Sequence, residues 1–161
     1  QLPHMGDWAD HMTTNFPEVR LKKYLEMRGT DGGPWRNLCA LPALWVGLLY
    51  DADSQSAAWD LIKDWSIQEQ ETLRNQVPIK GLATPFRKTS VQEISKEILA
   101  IASTGLKKRA KLDASGNDES GFLETLRDIA DRGRTPAEEL LDAFAGKWSK
   151  SVSPIFEELQ Y

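Results

Sequence analysis

Glu18-Val19-Arg20-Leu21-Lys22-Lys23-Tyr24-Leu25-Glu26-Met27-Arg28 is the most strand-like stretch of the chain, and its reading sets the fold class. Side chains alternate faces along a strand, so Arg20, Lys22, Tyr24, Glu26 and Arg28 fall on one face. Leu21, Lys23, Leu25 and Met27 take the other, which is apolar apart from Lys23. Alternation alone fits a sheet with one solvated face. Gly29-Thr30-Asp31-Gly32-Gly33-Pro34 is a turn-rich loop that ends the strand. A single strand cannot satisfy its own backbone N–H and C=O groups, so it has to pair. No other stretch offers a clear partner. The expectation is that the partner comes from another chain, or that the segment was cut from a larger sheet protein.

Outward from this stretch the chain reads as helices. Asp7 is expected to cap a short run from Trp8 to Thr14, which Pro17 stops. Trp35 to Asp51 reads as an apolar helix pair interrupted by Pro42. Ser54 to Trp65 carries Ala57, Ala58, Leu61, Ile62 and Trp65 in a helical stripe. Ile67 to Gln76 continues it, and Val77-Pro78 is expected to end it. Residues 79–88, with Gly81 and Pro85, read as a loop. Thr89-Ser90 can cap a long helix with Val91, Ile94, Ile98 and Ile101 at helical spacing. That helix ends in Lys107-Lys108-Arg109-Ala110-Lys111, charges that suit the negative end of a helix dipole; a phosphate-binding role is the minor reading. Asp113 to Ser120 is a polar loop, Phe122 to Asp131 is helical, and Gly133 is a stop. Thr135-Pro136-Ala137-Glu138 combines an N-cap, a proline at the first helical position and an acid three after the cap. In the tail, Phe156 and Tyr161 are expected to dock on the body. The fold class is α+β, mostly helical.

With 161 residues, 40% of them hydrophobic, the chain can supply the core of one ordinary domain. Its 20 Lys and Arg against 24 Asp and Glu give a formal charge of −4, which argues against a general nucleic-acid binder. No apolar run approaches the roughly 20 residues that span a bilayer, so no membrane partner is expected. One cysteine, Cys39, excludes an internal disulfide framework and fits a reducing compartment. The chain begins at Gln1 without a signal-peptide pattern, so the expectation is a processed product or a fragment.

Several chemistries find no support. A Gly-rich nucleotide loop ending in Lys-Ser/Thr, a Cys/His cluster with metal-ligand spacing and a Gly-x-Ser-x-Gly elbow are all missing from the sequence. His4 and His11 stand seven apart with no third ligand nearby. What is left is Glu26 and Arg28, two apart on one face of the strand. Such a pair can be a structural ion pair. It also suits phosphoryl chemistry, in which the carboxylate holds Mg²⁺ and the guanidinium steadies charge on the transferred group. Composition does not choose between the two.

Residues 16–51, Phe-Pro-Glu-Val-Arg-Leu-Lys-Lys-Tyr-Leu-Glu-Met-Arg-Gly-Thr-Asp-Gly-Gly-Pro-Trp-Arg-Asn-Leu-Cys-Ala-Leu-Pro-Ala-Leu-Trp-Val-Gly-Leu-Leu-Tyr-Asp, closely resemble the glutamate–cysteine ligases of plants and proteobacteria. The likeness extends through Asp7 to Thr14, Gly81 to Arg87, Arg134 to Glu138 and Ser151 to Phe156, nearly end to end.

The resemblance implies an ATP-dependent enzyme that joins the γ-carboxylate of L-glutamate to the amine of L-cysteine through an acyl phosphate, with Mg²⁺. It implies one or two strands of the active-site antiparallel sheet of a glutamine-synthetase-like carboxylate–amine ligase fold. Residues 1–161 would be the C-terminal part of a single larger catalytic domain, with 1–34 the active-site strand and loop and 35–161 a helical layer. Glu26 matches the metal-binding Glu, and Arg28 the phosphoryl-facing Arg, of the family's Glu-x-Arg strand. Arg20 and Tyr24 become candidate substrate or nucleotide contacts. Cys39 matches a position that in plant members forms a regulatory disulfide with an upstream cysteine; the bland alternative is a buried free thiol. Expected partners are L-glutamate, L-cysteine, ATP and the rest of the polypeptide upstream, with a homodimer among the assemblies and no nucleic acid. The expected location is the cytoplasm, or the plastid for a plant protein. The rival readings are a non-catalytic regulatory or assembly module derived from the family, and a related ligase with another amine acceptor.

Overall fold

A computed structural model describes residues 2–160 and divides into two compact units, the first ending at Gly32 and the second beginning at Gly33. Each unit is described by itself.

The first unit opens with α1, Met5–Met12. His4 is its N-cap: the imidazole Nδ1 accepts from the Gly6 and Asp7 N–H groups, and Asp7 Oδ2 accepts from the His4 N–H at 2.7 Å. The helix therefore starts three residues earlier than expected, and Asp7 is the acid of a capping box, not the cap. Thr13 and Thr14 hydroxyls bond back to the Asp10 and His11 carbonyls, satisfying the helix end.

The expected single strand is a hairpin. β1, Val19–Leu21, runs antiparallel to β2, Leu25–Met27, with Val19 opposite Met27, Arg20 opposite Glu26 and Leu21 opposite Leu25. The Lys22 N–H donates to the Tyr24 carbonyl at 2.9 Å beside the turn, and the Arg28 N–H donates to the Glu18 carbonyl at 2.7 Å at the open end. The missing partner strand is thus the second half of the same stretch, at the small cost of closing a short loop. Lys22-Lys23-Tyr24 carries none of the Gly, Asn or Asp signals of a tight hairpin turn, so the reversal has no local mark.

The second unit is helical. α2, Trp35–Leu49, is one helix containing Pro42, not a pair broken by it. An internal proline costs about 3 kcal/mol or more. Here Pro42 lies on the exposed side, while Ala40, Ala43, Gly47 and Leu48 bury the opposite face. α3, Ala52–Ile62, is capped by Asp51, whose Oδ2 accepts from the Ser54 N–H at 2.8 Å. α4, Ile67–Lys80, begins at a Ser66–Glu69 capping box and passes through Pro78 to end at Gly81, where φ is 54°. Residues 79–88 are not simply loop. A 3-10 turn over Gly81–Ala83 leads into a hairpin of β3, Pro85–Phe86, and β4, Thr89–Ser90.

Ser90 caps α5, Val91–Arg109, as expected. A 3-10 helix, Glu119–Leu123, precedes α6, Glu124–Arg132, which stops at Gly133 in the left-handed conformation. Thr135 and Glu138 form the expected capping box of α7, Pro136–Ala145. In the tail, α8, Ile155–Glu158, is anchored by Trp148, whose Nε1 donates to Glu158 Oε1 at 2.9 Å. Phe156, expected to dock, is 74% exposed, and Tyr161 lies outside the described residues.

The core gathers Ala43, Leu48, Leu99, Ala102, Leu106, Leu123 and Ala130 where α2, α5 and α6 meet. α2 and α5 touch backbone to backbone at Gly47 and Gly105. A methyl group on Gly105 would overlap the Gly47 carbonyl oxygen and stand 2.9 Å from Ser54 Oγ; one on Gly47 would overlap the Ala102 carbonyl oxygen. The chain is α+β: mostly helical, with two small antiparallel sheets. No helix among the described residues is long and apolar enough to cross a membrane.

Candidate functional site

The first hairpin brings three of the sequence-predicted residues together. Arg20 and Glu26 are direct cross-strand partners, so their side chains share a face, and Arg28 follows two residues on from Glu26. Arg20 takes Glu26 by two nitrogens: Nε donates to Oε2 at 2.7 Å, and Nη2 stands 2.7 Å from the same oxygen. Arg28 Nε is 3.7 Å from Oε2, an ion-pair distance beyond a hydrogen bond.

The expected Glu26–Arg28 pairing is thus the weaker of two. Arg20 neutralises the carboxylate, and the charge of Arg28 is left largely uncompensated. Arg28 Nη1 is buried and has no hydrogen-bond partner among the described residues. Such an orphaned donor costs about 1–3 kcal/mol. An anionic oxygen brought to it would recover that cost as a charge-assisted hydrogen bond. The cluster carries two guanidiniums and one carboxylate, so it attracts anions.

Both arginines address Oε2, which leaves Oε1 as the oxygen Glu26 can offer a cation. Among the described residues no group of three or more His, Cys, Asp or Glu comes together. One carboxylate oxygen suits Mg²⁺, which takes one or two carboxylates and fills its shell with water and substrate phosphates. The residues present would fit a shared Mg²⁺–phosphate site, with Glu26 as this chain's candidate ligand.

Tyr24 departs from the expected face. It sits in the turn, off the paired ladder, and is 61% exposed. Cys39 lies on α2 as a half-buried free thiol. It lines a cavity of about 240 Å³ with Ala43, Val46, Leu106 and Phe122. The basic end of α5 is occupied by structure. Lys108 Nζ stands 2.5 Å from Asp53 Oδ2 and 3.5 Å from Asp51 Oδ2, and Arg109 pairs with Glu119 at 3.5 Å. These contacts raise the Lys108 pKa, through the Asp53 hydrogen bond first, and tie the end of α5 to the start of α3.

Sequence reasoning missed Phe16. Its ring lies under the Arg28 guanidinium, with Cζ 5.3 Å from the ring centroid. The signal was the register: once Glu18 is known to face Arg28, Phe16 falls just beyond the open end of the hairpin. Sequence reasoning also missed the ion pair that holds the second hairpin. Arg87, in the left-handed conformation at φ 51°, donates from Nε to Glu69 Oε1 at 2.7 Å and from Nη2 to Glu69 Oε2 at 2.9 Å. Its Nη2 also donates to the Asp64 carbonyl at 2.7 Å. The hydrogen bonds from Arg87, with help from the Ser66 N–H, hold the Glu69 carboxyl down at about 2.

The family model described as Glutamate-cysteine ligase family 2 (GCS2) matches residues 2–158. The chain is similar to the protein described as "Glutamate--cysteine ligase, chloroplastic" of Arabidopsis thaliana, at 53% identity over 161 residues, all of this chain and 30% of that protein. It is 51% identical over 159 residues to the protein of the same description from Nicotiana tabacum, covering 99% of this chain and 29% of that one. To "Glutamate--cysteine ligase A, chloroplastic" of Oryza sativa subsp. indica it is 52% identical over 161 residues, 32% of that protein. The chain spans about a third or less of the length of these curated relatives.

Proposed function

The chain belongs to glutamate-cysteine ligase family 2, and from that premise we propose that it is the C-terminal part of an ATP-dependent glutamate–cysteine ligase. The whole protein transfers the γ-phosphoryl group of ATP to the γ-carboxylate of L-glutamate, releasing ADP. The amine of L-cysteine then attacks the acyl carbon and expels phosphate, losing a proton as the amide forms. The observation that carries this reading is identity of 50% or more to named ligases over the full length of the chain.

The hairpin's part follows from its charges. Arg28 directs its uncompensated charge and its orphaned Nη1 at the oxygens of the transferring phosphoryl group. Their charge is greatest in the transition state, where preorganised donors act most strongly. Arg20 holds Glu26 in place and keeps it from claiming Arg28. Glu26 offers Oε1 to Mg²⁺, which when bound offsets charge on the phosphate oxygens. The two short strands belong to a larger antiparallel sheet of the glutamine-synthetase-like ligase fold, whose remaining acids come from upstream. The named relatives are chloroplastic, which supports a plastid setting if this is a plant protein.

The test is product analysis of the full-length polypeptide with ATP, Mg²⁺, glutamate and either cysteine or other small amines. Cysteine-dependent release of ADP with formation of γ-glutamylcysteine is expected. Preference for another amine would point to a related ligase, and no turnover to a non-catalytic module.

A further inference from the structure

We propose that Phe16 is a positioning residue for Arg28: its ring sets the plane of the guanidinium that meets the phosphoryl group. The inference rests on the reading of Arg28 given above and adds a residue to it.

Three contacts define the environment of Arg28. Its main chain is pinned by the N–H donated to the Glu18 carbonyl at 2.7 Å. Its Nε is drawn toward Glu26 Oε2 at 3.7 Å, too far to fix an orientation. Its Cζ lies 5.3 Å from the centroid of Phe16. A guanidinium is planar and donates along its edges, at the end of a long rotatable stem. A carboxylate would hold it by consuming an edge. An aromatic ring holds it by a face, through cation–π attraction, and leaves the edges free. Nη1, buried and without a hydrogen-bond partner among the described residues, is on an edge that no carboxylate consumes.

Among the described residues Phe16 is not packed into a core. It is 76% exposed, in the loop between α1 and β1 ahead of Pro17, whose fixed φ stiffens the approach to the hairpin. A large apolar side chain left in water contributes little to a core. Its contact with a charged group two strand positions from Glu26 is the distinctive thing about it. Removal of the ring should therefore move Arg28 more than it moves stability.

The experiment uses the full-length ligase. Phe16→Leu and Phe16→Tyr are made in the parent and in an Arg28→Lys background, and kcat, ATP affinity by calorimetry without glutamate, and unfolding temperature are measured. In the parent, Phe16→Leu is expected to lower kcat and ATP affinity by about two- to fivefold at an unchanged unfolding temperature, the size of an exposed cation–π contact. Phe16→Tyr should restore both. In the Arg28→Lys background Phe16→Leu should change both much less, because an ammonium over the ring keeps the attraction but has no plane for the ring to set. Parental kcat, unchanged ATP affinity, or an equal loss in both backgrounds would overturn the role of Phe16 while leaving that of Arg28. An Arg28→Lys variant with parental kcat would overturn both.

Discussion

Arg20 and Glu26 face each other directly across the hairpin, with Nε and Nη2 of the arginine each 2.7 Å from one carboxylate oxygen. The pair is partly exposed, so its contribution to stability is small, of the order of 0–1 kcal/mol. Its larger effect is to keep Glu26 from taking up Arg28. Arg20→Gln should therefore lower kcat of the full-length ligase by about tenfold, some 1.4 kcal/mol of barrier, with the unfolding temperature almost unmoved. Steady-state kinetics and thermal unfolding on the same preparation would check this. Normal turnover would mean that Arg28 does not need the protection.

Arg28→Lys separates catalysis from architecture. Lysine keeps the charge but is a point donor on a flexible stem, without the planar fork that meets two phosphate oxygens. Loss of one preorganised contact to a developing charge costs about 3 kcal/mol, roughly a hundredfold in rate. That fall in kcat is expected, with a parental unfolding temperature. A near-normal kcat would return Arg28 to the status of an ion-pair partner.

The 161-residue chain alone should show no ATP- and cysteine-dependent turnover, since it spans only about a third or less of the named ligases it matches. A coupled assay for ADP release on the purified chain decides it. Turnover above background would mean that the hairpin works without the upstream acids.

The Glu69–Arg87 pair gives a pH signature. The folded-state pKa of Glu69 is held at about 2, below its ordinary 4.5, chiefly by hydrogen bonds from Arg87. A depressed carboxyl adds stability above its unfolded-state pKa and loses it as pH falls toward the folded value. The advantage of the parent over Glu69→Gln should accordingly be full above about pH 5 and shrink progressively between pH 4.5 and 2. Urea unfolding at several pH values measures the difference directly. A constant difference across that window would show that the carboxylate charge is not what Arg87 holds.

Gly47→Ala and Gly105→Ala should each destabilise the helical unit by about 3 kcal/mol, the upper end of the cost of overpacking, because the added methyl meets backbone and not a yielding side chain. Chemical denaturation followed by tryptophan fluorescence would show it. A change under about 1 kcal/mol would mean that α2 and α5 can draw apart cheaply.

What the sequence made legible follows from how local each signal is. The Thr135–Glu138 capping box, the Ser90 cap and the Gly133 stop are settled within four residues, and all three stand as read. Pro42 reads as a break because the burial that keeps α2 helical comes from distant elements, whereas α4 runs through Pro78 to Gly81 without burying any of its residues. The hairpin reads as one strand because Arg20 and Glu26 share a face either way. Arg20 and Glu26 are on one side of a straight strand, and they are again on one side after the chain folds back with Lys23 at its tip. Alternation therefore grouped the right charges, but it could not reveal which pair touches. Phe16 needed the register as well.

The contact at Gly47 and Gly105 has a genetic consequence. Every single-base missense change in a glycine codon installs a residue with a side chain: alanine, serine, cysteine, valine, aspartate, glutamate, arginine or tryptophan. At both positions even the smallest of these meets a carbonyl oxygen across the helix crossing. Neither codon has a conservative neighbour in the code. Variation in this crossing would have to come from coordinated change on both helices, so α2 and α5 are heritable as one block.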